Sequence, residues 1–389
     1  MVHKSCFNCP KNCEVEVKEI FVNSKYILHA SKIIKIQSFY RGYLIRRDFY
    51  DKEIKKEIPM DYSTEKYENN PIIIRLKNLF PKFELTEKEY YIVKNSPNRI
   101  IALLYQNNSI YKGMINVKGR KEGFGKLFLS DGSIYKGFFN NNIMEGRGRL
   151  LSIDGYIYEG EFKNGKMNGY GKYISLDGTF YKGSWLNDKK NGNGYELYSD
   201  TSFYIGNFID GKKNGIGKMV FKEKNIYEGN FVNNEIDGEG GFYWKDGRTY
   251  IGKWEKNKMN GYGIFIWPDK KKYYGNYSNN LKEGFGIFFW SDDKKYMGFW
   301  KEGKQQGYGV MSENKIDCYG YWMDGKLKNK IDDKESIKFI KTKVTEVMQQ
   351  KDYCQFQLSI EKYEKQISDG YSSQDTNSNS KGDKFIKIS

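Results

Sequence analysis

The sequence predicts a mainly β protein: an elongated, single-layer antiparallel meander of about nine hairpins, flanked by N- and C-terminal helices. Three observations predict it. Gly-x-Gly recurs in steps of 23 residues, from Gly123/Gly125 to Gly307/Gly309. Tyr-x-Gly keeps the same beat from Tyr111 to Tyr296, and only its first step is 24. The 389 residues include 41 Gly, 33 Tyr and 25 Phe but only 6 Pro and 2 His. Aromatics suit pleated strands, and glycine suits turns and close approach of backbones. A fixed period of this length marks a repeat architecture.

One unit, residues 158–180, shows why the period recurs. Tyr158, Gly160 and Phe162 alternate with Glu159 and Glu161, so in a strand the two sets occupy opposite faces. Asn164-Gly165 is turn chemistry. A second strand follows from Gly169, and Asp177-Gly178 makes the next tight turn. Each unit is therefore one hairpin. Glycine inside a strand is destabilising, so its fixed recurrence beside aromatics needs a reason. A Tyr or Phe ring lying across a neighbouring glycine supplies one, and it lets a single layer bury apolar surface. Eighteen strands at ~4.8 Å spacing would make a rod on the order of 85 Å long. The array ends irregularly, with Cys318-Tyr319-Gly320 standing one residue early.

Tyr-x-Gly-x-Trp/Phe, then Gly-x-Gly, then Asp-Gly resembles the MORN (membrane occupation and recognition nexus) repeat over residues 111–327. The unit beginning Tyr250-Ile-Gly-Lys-Trp carries nearly all of it. Lys224-Asn225, Lys270-Lys271 and Asp293-Lys294 depart from the Asp-Gly turn. The resemblance implies a twisted, elongated sheet with an aromatic-lined groove. Such proteins serve as scaffolds, as dimerisation modules and as membrane- or cytoskeleton-associated parts, so a homodimer through the array is one implication. Some relatives are enzymes, plant phosphatidylinositol-phosphate kinases and a lysine methyltransferase, whose repeats flank a separate catalytic domain. Here 62 residues follow Leu327, too few for a kinase fold. No Gly-x-Gly pair extends to a nucleotide-binding Gly-x-Gly-x-x-Gly. No His lies beyond His29, which removes His-based acid–base chemistry from the array. The expectation is a non-enzymatic protein with no cofactor, for which a kinase-family label would describe only the repeats.

Within residues 25–58, Ile33, Ile36, Tyr40, Tyr43, Leu44 and Arg47 recur at three- and four-residue steps, a helical stripe. Residues 32–47 carry five basic side chains and no acid. A basic amphipathic helix suits an acidic partner with an apolar groove. The run Ile36-Gln37 … Arg41-Gly42 … Arg46 … Phe49 resembles the IQ motif, with every consensus position filled. That resemblance implies binding of calmodulin or a calmodulin-like light chain. Ile36 would be the apolar anchor, Gln37 a hydrogen-bonding partner, and Arg41 and Arg46 the partners of acids. Gly42 would allow close approach, and Phe49 would be the last apolar position. A helix that packs on the array, or lies on a membrane, is the competing reading. IQ segment and repeats together, with an Asn- and Lys-rich composition, resemble proteins of ciliates and apicomplexans.

Residues 59–98 read as a linker with short helical stretches. Residues 99–105 read as a half-repeat that caps the array, which then spans 99–327. Residues 328–367 have helical spacing at Ile337, Ile340, Val344 and Val347. Residues 368–389 have the composition of a disordered tail.

In the first 24 residues, His3, Cys6, Cys9 and Cys13 offer four zinc-ligand types at tight spacing. Lipidation of Cys6, Cys9 and Cys13 beside a basic helix is a second reading, and inert thiols are the third. Five Cys in 389 residues fit no dense disulfide framework and suit a reducing compartment.

The net charge of +16 invites an anionic partner. Residues 111–327 hold 34 Lys and Arg against 26 Asp and Glu, so only +8 lies there, thinly spread. Nucleic acid is disfavoured, because the rings are committed to glycines and the charge forms no stripe. The expected partners are the light chain, a cytoskeletal or axonemal protein, or anionic phospholipid. For the last, the lysine-bearing turns Lys189-Lys190, Lys212-Lys213 and Lys270 to Lys272 would supply the charge. The expected location is the cytoplasm, at the cytoskeleton or cilium or at the cytoplasmic face of a membrane.

Overall fold

The computed structural model describes residues 54–349. The IQ-like segment, the N-terminal cysteines and the C-terminal residues from 350 onward lie outside the described residues.

Among the described residues, all the strands join one 22-stranded sheet. Each strand pairs antiparallel with the next in chain order, from β1 (Ile54–Ile58) to β22 (Lys326–Lys330). The nine units run from β3 (Ile110–Ile115) to β20 (Lys304–Glu313). β1 and β2 (Arg99–Tyr105) precede them, and β21 (Ile316–Met323) and β22 follow. The sheet is thus longer than eighteen strands, and ~4.8 Å spacing gives about 100 Å. β2 pairs with the first unit as the expected cap. Residues 54–58, expected to end the helical segment 25–58, form β1 instead. They pair with β2, and Ile58 is buried in one cluster with Ile73 and Leu76.

Within a unit the turn is short and forced. Asn164 and Gly165 have φ of 52° and 73°, and Asn279 and Asn280 have 50° and 72°. Two positive φ angles in a two-residue loop match the right-handed twist of the strands it joins. Beyond the turn the register slips, for example between Gly275 and Tyr277 against Lys282 to Gly286. This is a β-bulge, and it recurs unit after unit.

The two glycines of Gly-x-Gly have different work. The first carries the bulge: Gly284 has φ +67° and Gly261 φ +81°. The second faces the glycine of Tyr-x-Gly on both neighbouring strands. The result is an unbroken cross-strand ladder of glycines from Gly113 to Gly320. The repeat tyrosines lie along it, and all nine from Tyr111 to Tyr296 are fully buried.

The end of the array is more regular than its sequence. Trp322 is buried and packs edge-on to Tyr296, with ring centres 5.0 Å apart. Leu327 lies across Gly320 where other units use a tyrosine.

A second layer exists at the N-terminal end. Residues 59–98, expected as a linker, hold α1 (Glu65–Glu68), α2 (Pro71–Leu79) and α3 (Glu87–Lys94). Asn70 and Pro71 start α2, and a Thr86/Glu89 capping box starts α3. Ile73 and Leu76 meet Ala102, Leu104, Phe128 and Ile157 in a small core on the face opposite the tyrosines. At the other end α4 (Lys334–Met348) packs on β19 (Lys294–Lys301) and β20.

Candidate functional site: the ring-lined face and the basic column behind it

The ring face is built from the repeat itself. Each tyrosine hydroxyl donates to the carbonyl three residues on: Tyr250 to Lys253 at 3.0 Å, Tyr273 to Asn276 at 3.1 Å. That carbonyl sits at the bulge, where the ladder bond is missing, so the hydroxyl satisfies it. The aromatic four residues on meets the ring edge-to-face, as Trp254 does Tyr250 at 5.1 Å and 90°. Tyr277, from the next unit, meets Tyr250 at 5.2 Å and 85°. Edge-to-face contact is the favoured aromatic geometry.

Along this core in the C-terminal half runs a band of rings, of which Phe265 and Phe288 are buried and Phe242, Trp244, Trp267 and Trp290 partly buried. Phe242 and Trp244 are 4.5 Å apart, Phe265 and Trp267 4.4 Å, and Phe288 and Trp290 4.6 Å. Trp244–Phe265 and Trp267–Phe288, both 5.4 Å, join the pairs.

Charged side chains enter the ring face at one repeat position, two residues before the first glycine of Gly-x-Gly. Met144, Met167, Ile236 and Met259 occupy this position in four units, Lys121, Lys190, Lys213 and Lys282 in four others, and Gln305 in the ninth. The Lys282 Nζ stands 4.6 Å from the ring centres of Phe288 and Trp300, and 5.2 Å from that of Tyr273. Burial pushes its pKa down to about 8, and that of Lys121 likewise to about 8. Ring faces partly compensate a desolvated cation. Lys190 pairs with the buried Glu196, which also accepts from the Tyr198 hydroxyl at 2.6 Å. Lys213 lies 5.1 Å from the Tyr198 ring centre, its pKa lowered by burial.

These positions change the reading of the lysine-bearing turns. Lys190 and Lys213 point into the ring face rather than outward. Lys189 and Lys212 are exposed, and Lys271 pairs with Asp269. Aligning the units by their glycines would have found the buried lysines, since they fall where other units place methionine.

On the opposite face, the residue between Tyr and Gly and the residue after each Gly-x-Gly form one cross-strand column. At the N-terminal end it is basic, and residues 59–94 cover it through backbone carbonyls and acids. Lys112 donates to Met60 and Tyr62 carbonyls at 2.7 Å, and Lys126 pairs with Glu68 at 2.5 Å. Lys136 donates to the Phe83 carbonyl, and Arg149 to that of Pro81 at 2.6 Å. Next to the column, Arg147 pairs with Glu89 at 2.9 Å and lies 4.5 Å from the Phe83 ring centre. A shallow cleft of about 650 Å³ opens between α3 and the sheet, lined by Phe83, Leu85, Tyr90, Lys94 and Phe124. Lys172 and Lys182, which follow Glu159 in the column, face each other and are exposed.

The expected light-chain contacts Ile36, Gln37, Arg41, Gly42, Arg46 and Phe49 lie outside the described residues, as do His3, Cys6, Cys9 and Cys13. Among the described residues no group of side chains could hold a metal ion, and no helix is long and apolar enough to cross a membrane.

Comparison with known proteins agrees with the repeat geometry. The MORN repeat family model matches nine times, between residues 117 and 312, and the IQ calmodulin-binding motif model matches residues 30–50. No curated protein sequence matches the chain. Among solved structures, the SAS-4 (dCPAP) TCP domain of Drosophila melanogaster, in complex with a proline-rich motif of Ana2 (dSTIL), is 13% identical with a TM-score of 0.26. The match covers 50% of this chain and 96% of that one. An inactive virginiamycin B lyase from Staphylococcus aureus is 9% identical with a TM-score of 0.13, covering 56% and 92%. Neither likeness bears on function. Both matched family models describe non-catalytic modules, one a structural repeat and the other a calmodulin-binding motif. The chain belongs to the MORN-repeat family and carries an IQ calmodulin-binding motif ahead of its repeats.

Proposed function

We propose that this protein is a non-enzymatic scaffold at the cytoskeleton or cilium. Its IQ segment recruits calmodulin or a calmodulin-like light chain, and its sheet presents the ring-lined face to a cytoskeletal or axonemal protein. The filled consensus at Ile36, Gln37, Arg41, Gly42 and Arg46 carries this reading. Three residues separate the matched segment, which ends at position 50, from Ile54 in β1. β1 is hydrogen-bonded into the sheet, so a light chain held there stands within about 15 Å of a rigid edge. The tyrosines and glycines are consumed in building the sheet. On the ring face Lys190 is likewise engaged, in a salt bridge with Glu196.

Retention of the full chain on immobilised calmodulin, with calcium and with chelator, tests this. Ile36→Ala combined with Arg41→Ala should abolish retention in whichever condition supports it. Unchanged retention rejects the site.

A second reading is peripheral binding to anionic phospholipid. The facing, exposed pair Lys172 and Lys182 favours it, because like charges in register gain from a polyanionic surface. Lys190 and Lys213 do not contribute, being turned into the ring face. Flotation with phosphoinositide vesicles would show strong, salt-sensitive binding on this reading, and loss of binding in Lys172→Glu with Lys182→Glu.

A further inference from the structure

The column that is basic at one end of the outer face is apolar at the other. Ile251, Ile264, Tyr274, Ile287, Met297 and Val310 face one another in register, strand after strand. Ile264, Ile287 and Val310 are 0%, 2% and 2% exposed. They belong neither to the ring core nor to the N-terminal cluster. The repeat tyrosines reach such burial by lying across glycines on the ring face. Ile264, Ile287 and Val310 stand on the opposite face, outside that arrangement, so something lies over them.

α4 covers only the beginning of the column. It leaves the last strand and packs on β20 and β19. Ile340 is 3% exposed, and the Phe339 ring lies 5.9 Å from that of Tyr308 in β20. Ile264 lies in the strand Lys258–Ile266, four strands beyond β20, hence about 19 Å away. A helix advances 1.5 Å per residue, so 19 Å is about 13 residues. Counted from Ile340, that reaches about position 353. In the sequence, Ile340, Val344, Val347, Cys354 and Leu358 keep to one helical stripe. The stripe is as long as the column.

We infer that residues 349–365 of this chain continue from α4 along the outer face and cover the apolar column as far as Ile251. The column ends there because its chemistry changes. The next positions are Gly241, Glu228 and Lys218, which offer no apolar surface. The two ends of one column are then closed by two segments of the same chain. Residues 59–94 satisfy its cations, and the C-terminal segment satisfies its aliphatic side chains. The outer face left for partners is the stretch between them, around Lys172, Lys182 and Ile205. This inference is independent of the calmodulin reading.

Full-length protein with Ile264→Cys tests it, with Glu228→Cys as the control on the same face. Mild diamide oxidation should give an intramolecular disulfide to the native Cys354 in the first and not in the second, read by peptide mass. A disulfide between two chains would mean that a second copy covers the column, and would overturn the proposal. Rapid labelling of the introduced thiol by a water-soluble maleimide, without cross-linking, would mean an open face and would also overturn it. Cys354→Asp with Leu358→Asp gives a measurement free of new thiols. Binding of a hydrophobic dye should rise several-fold with the β-sheet circular dichroism unchanged. No rise would overturn the proposal as well.

Discussion

The Tyr273 ring lies flat across Gly286 on the neighbouring strand. A methyl group placed on Gly286 would stand 2.6 Å from the Tyr273 Cε2 and Cζ atoms. The same placement on Gly275 meets the Gly286 Cα at 2.7 Å. Ring and glycine therefore define one another, and the sheet gains a core without a second layer.

The two glycines of one unit should respond differently to alanine. Gly286→Ala drives a methyl into a ring that is itself buried, and should cost about 2–3 kcal/mol or more. Gly284→Ala meets nothing closer than 3.7 Å but must hold φ +67°, and should cost about 1–2 kcal/mol. Urea unfolding of each variant checks the order. Equal losses would mean that ring contact is not what selects Gly286.

Tyr273→Phe keeps the ring and removes the hydroxyl bonded to the Asn276 carbonyl at 3.1 Å. A carbonyl left unsatisfied under a ring should cost about 1–3 kcal/mol. The loss should appear in thermal unfolding with the sheet signal of the native state unchanged.

Lys282 should make stability rise with pH. Burial lowers its folded-state pKa to about 8 from an ordinary value near 10.5. Between these values the unfolded chain binds more protons than the folded one, so stability increases as pH rises. Lys121 acts in the same direction over the same range. Above pH 10 the unfolded tyrosines ionise while burial holds Tyr273 protonated, which reverses the slope. Lys282→Met restores the residue type of Met259 and should flatten the rise between pH 8 and 9.5. It should also add on the order of 1–2 kcal/mol at pH 7. Unfolding midpoints across that range check both.

Arg149→Ala should loosen the N-terminal layer without unfolding the array. Arg149 joins the Pro81 carbonyl to Glu159 and lies 5.1 Å from the Phe80 ring centre. Cleavage within residues 80–95 by a broad-specificity protease should accelerate several-fold, while the repeats stay protected. Uniform acceleration along the chain would show that the layer and array unfold together.

Much of this architecture was legible because a period of 23 repeats nine times. Tyr111, Gly113 and Gly125 recur in register, so hairpin, turn and ring-over-glycine could be read from any one unit. Residues occurring once were not legible in this way. Ile73 and Leu76 sit in a stretch that reads as linker, because the sheet residues they cover, Ala102 to Ile157, lie far along the chain. Ile54 to Ile58 follow a helical stripe and become a strand only because β2 offers an unpaired edge. Lys190 and Lys213 look like solvent-facing turn lysines until the bulge turns them onto the rings.

Local chemistry by itself determined the nine repeat hairpins and the ladder of glycines, since each contact joins a residue to its own unit or the next. The IQ consensus is local in the same sense. Tertiary structure alone decided which face of the sheet is covered, and by what. The basic column, the apolar column and the segments over them are distant in sequence and meet only across the finished sheet. Their pairing depends on a surface that does not exist until the strands are side by side.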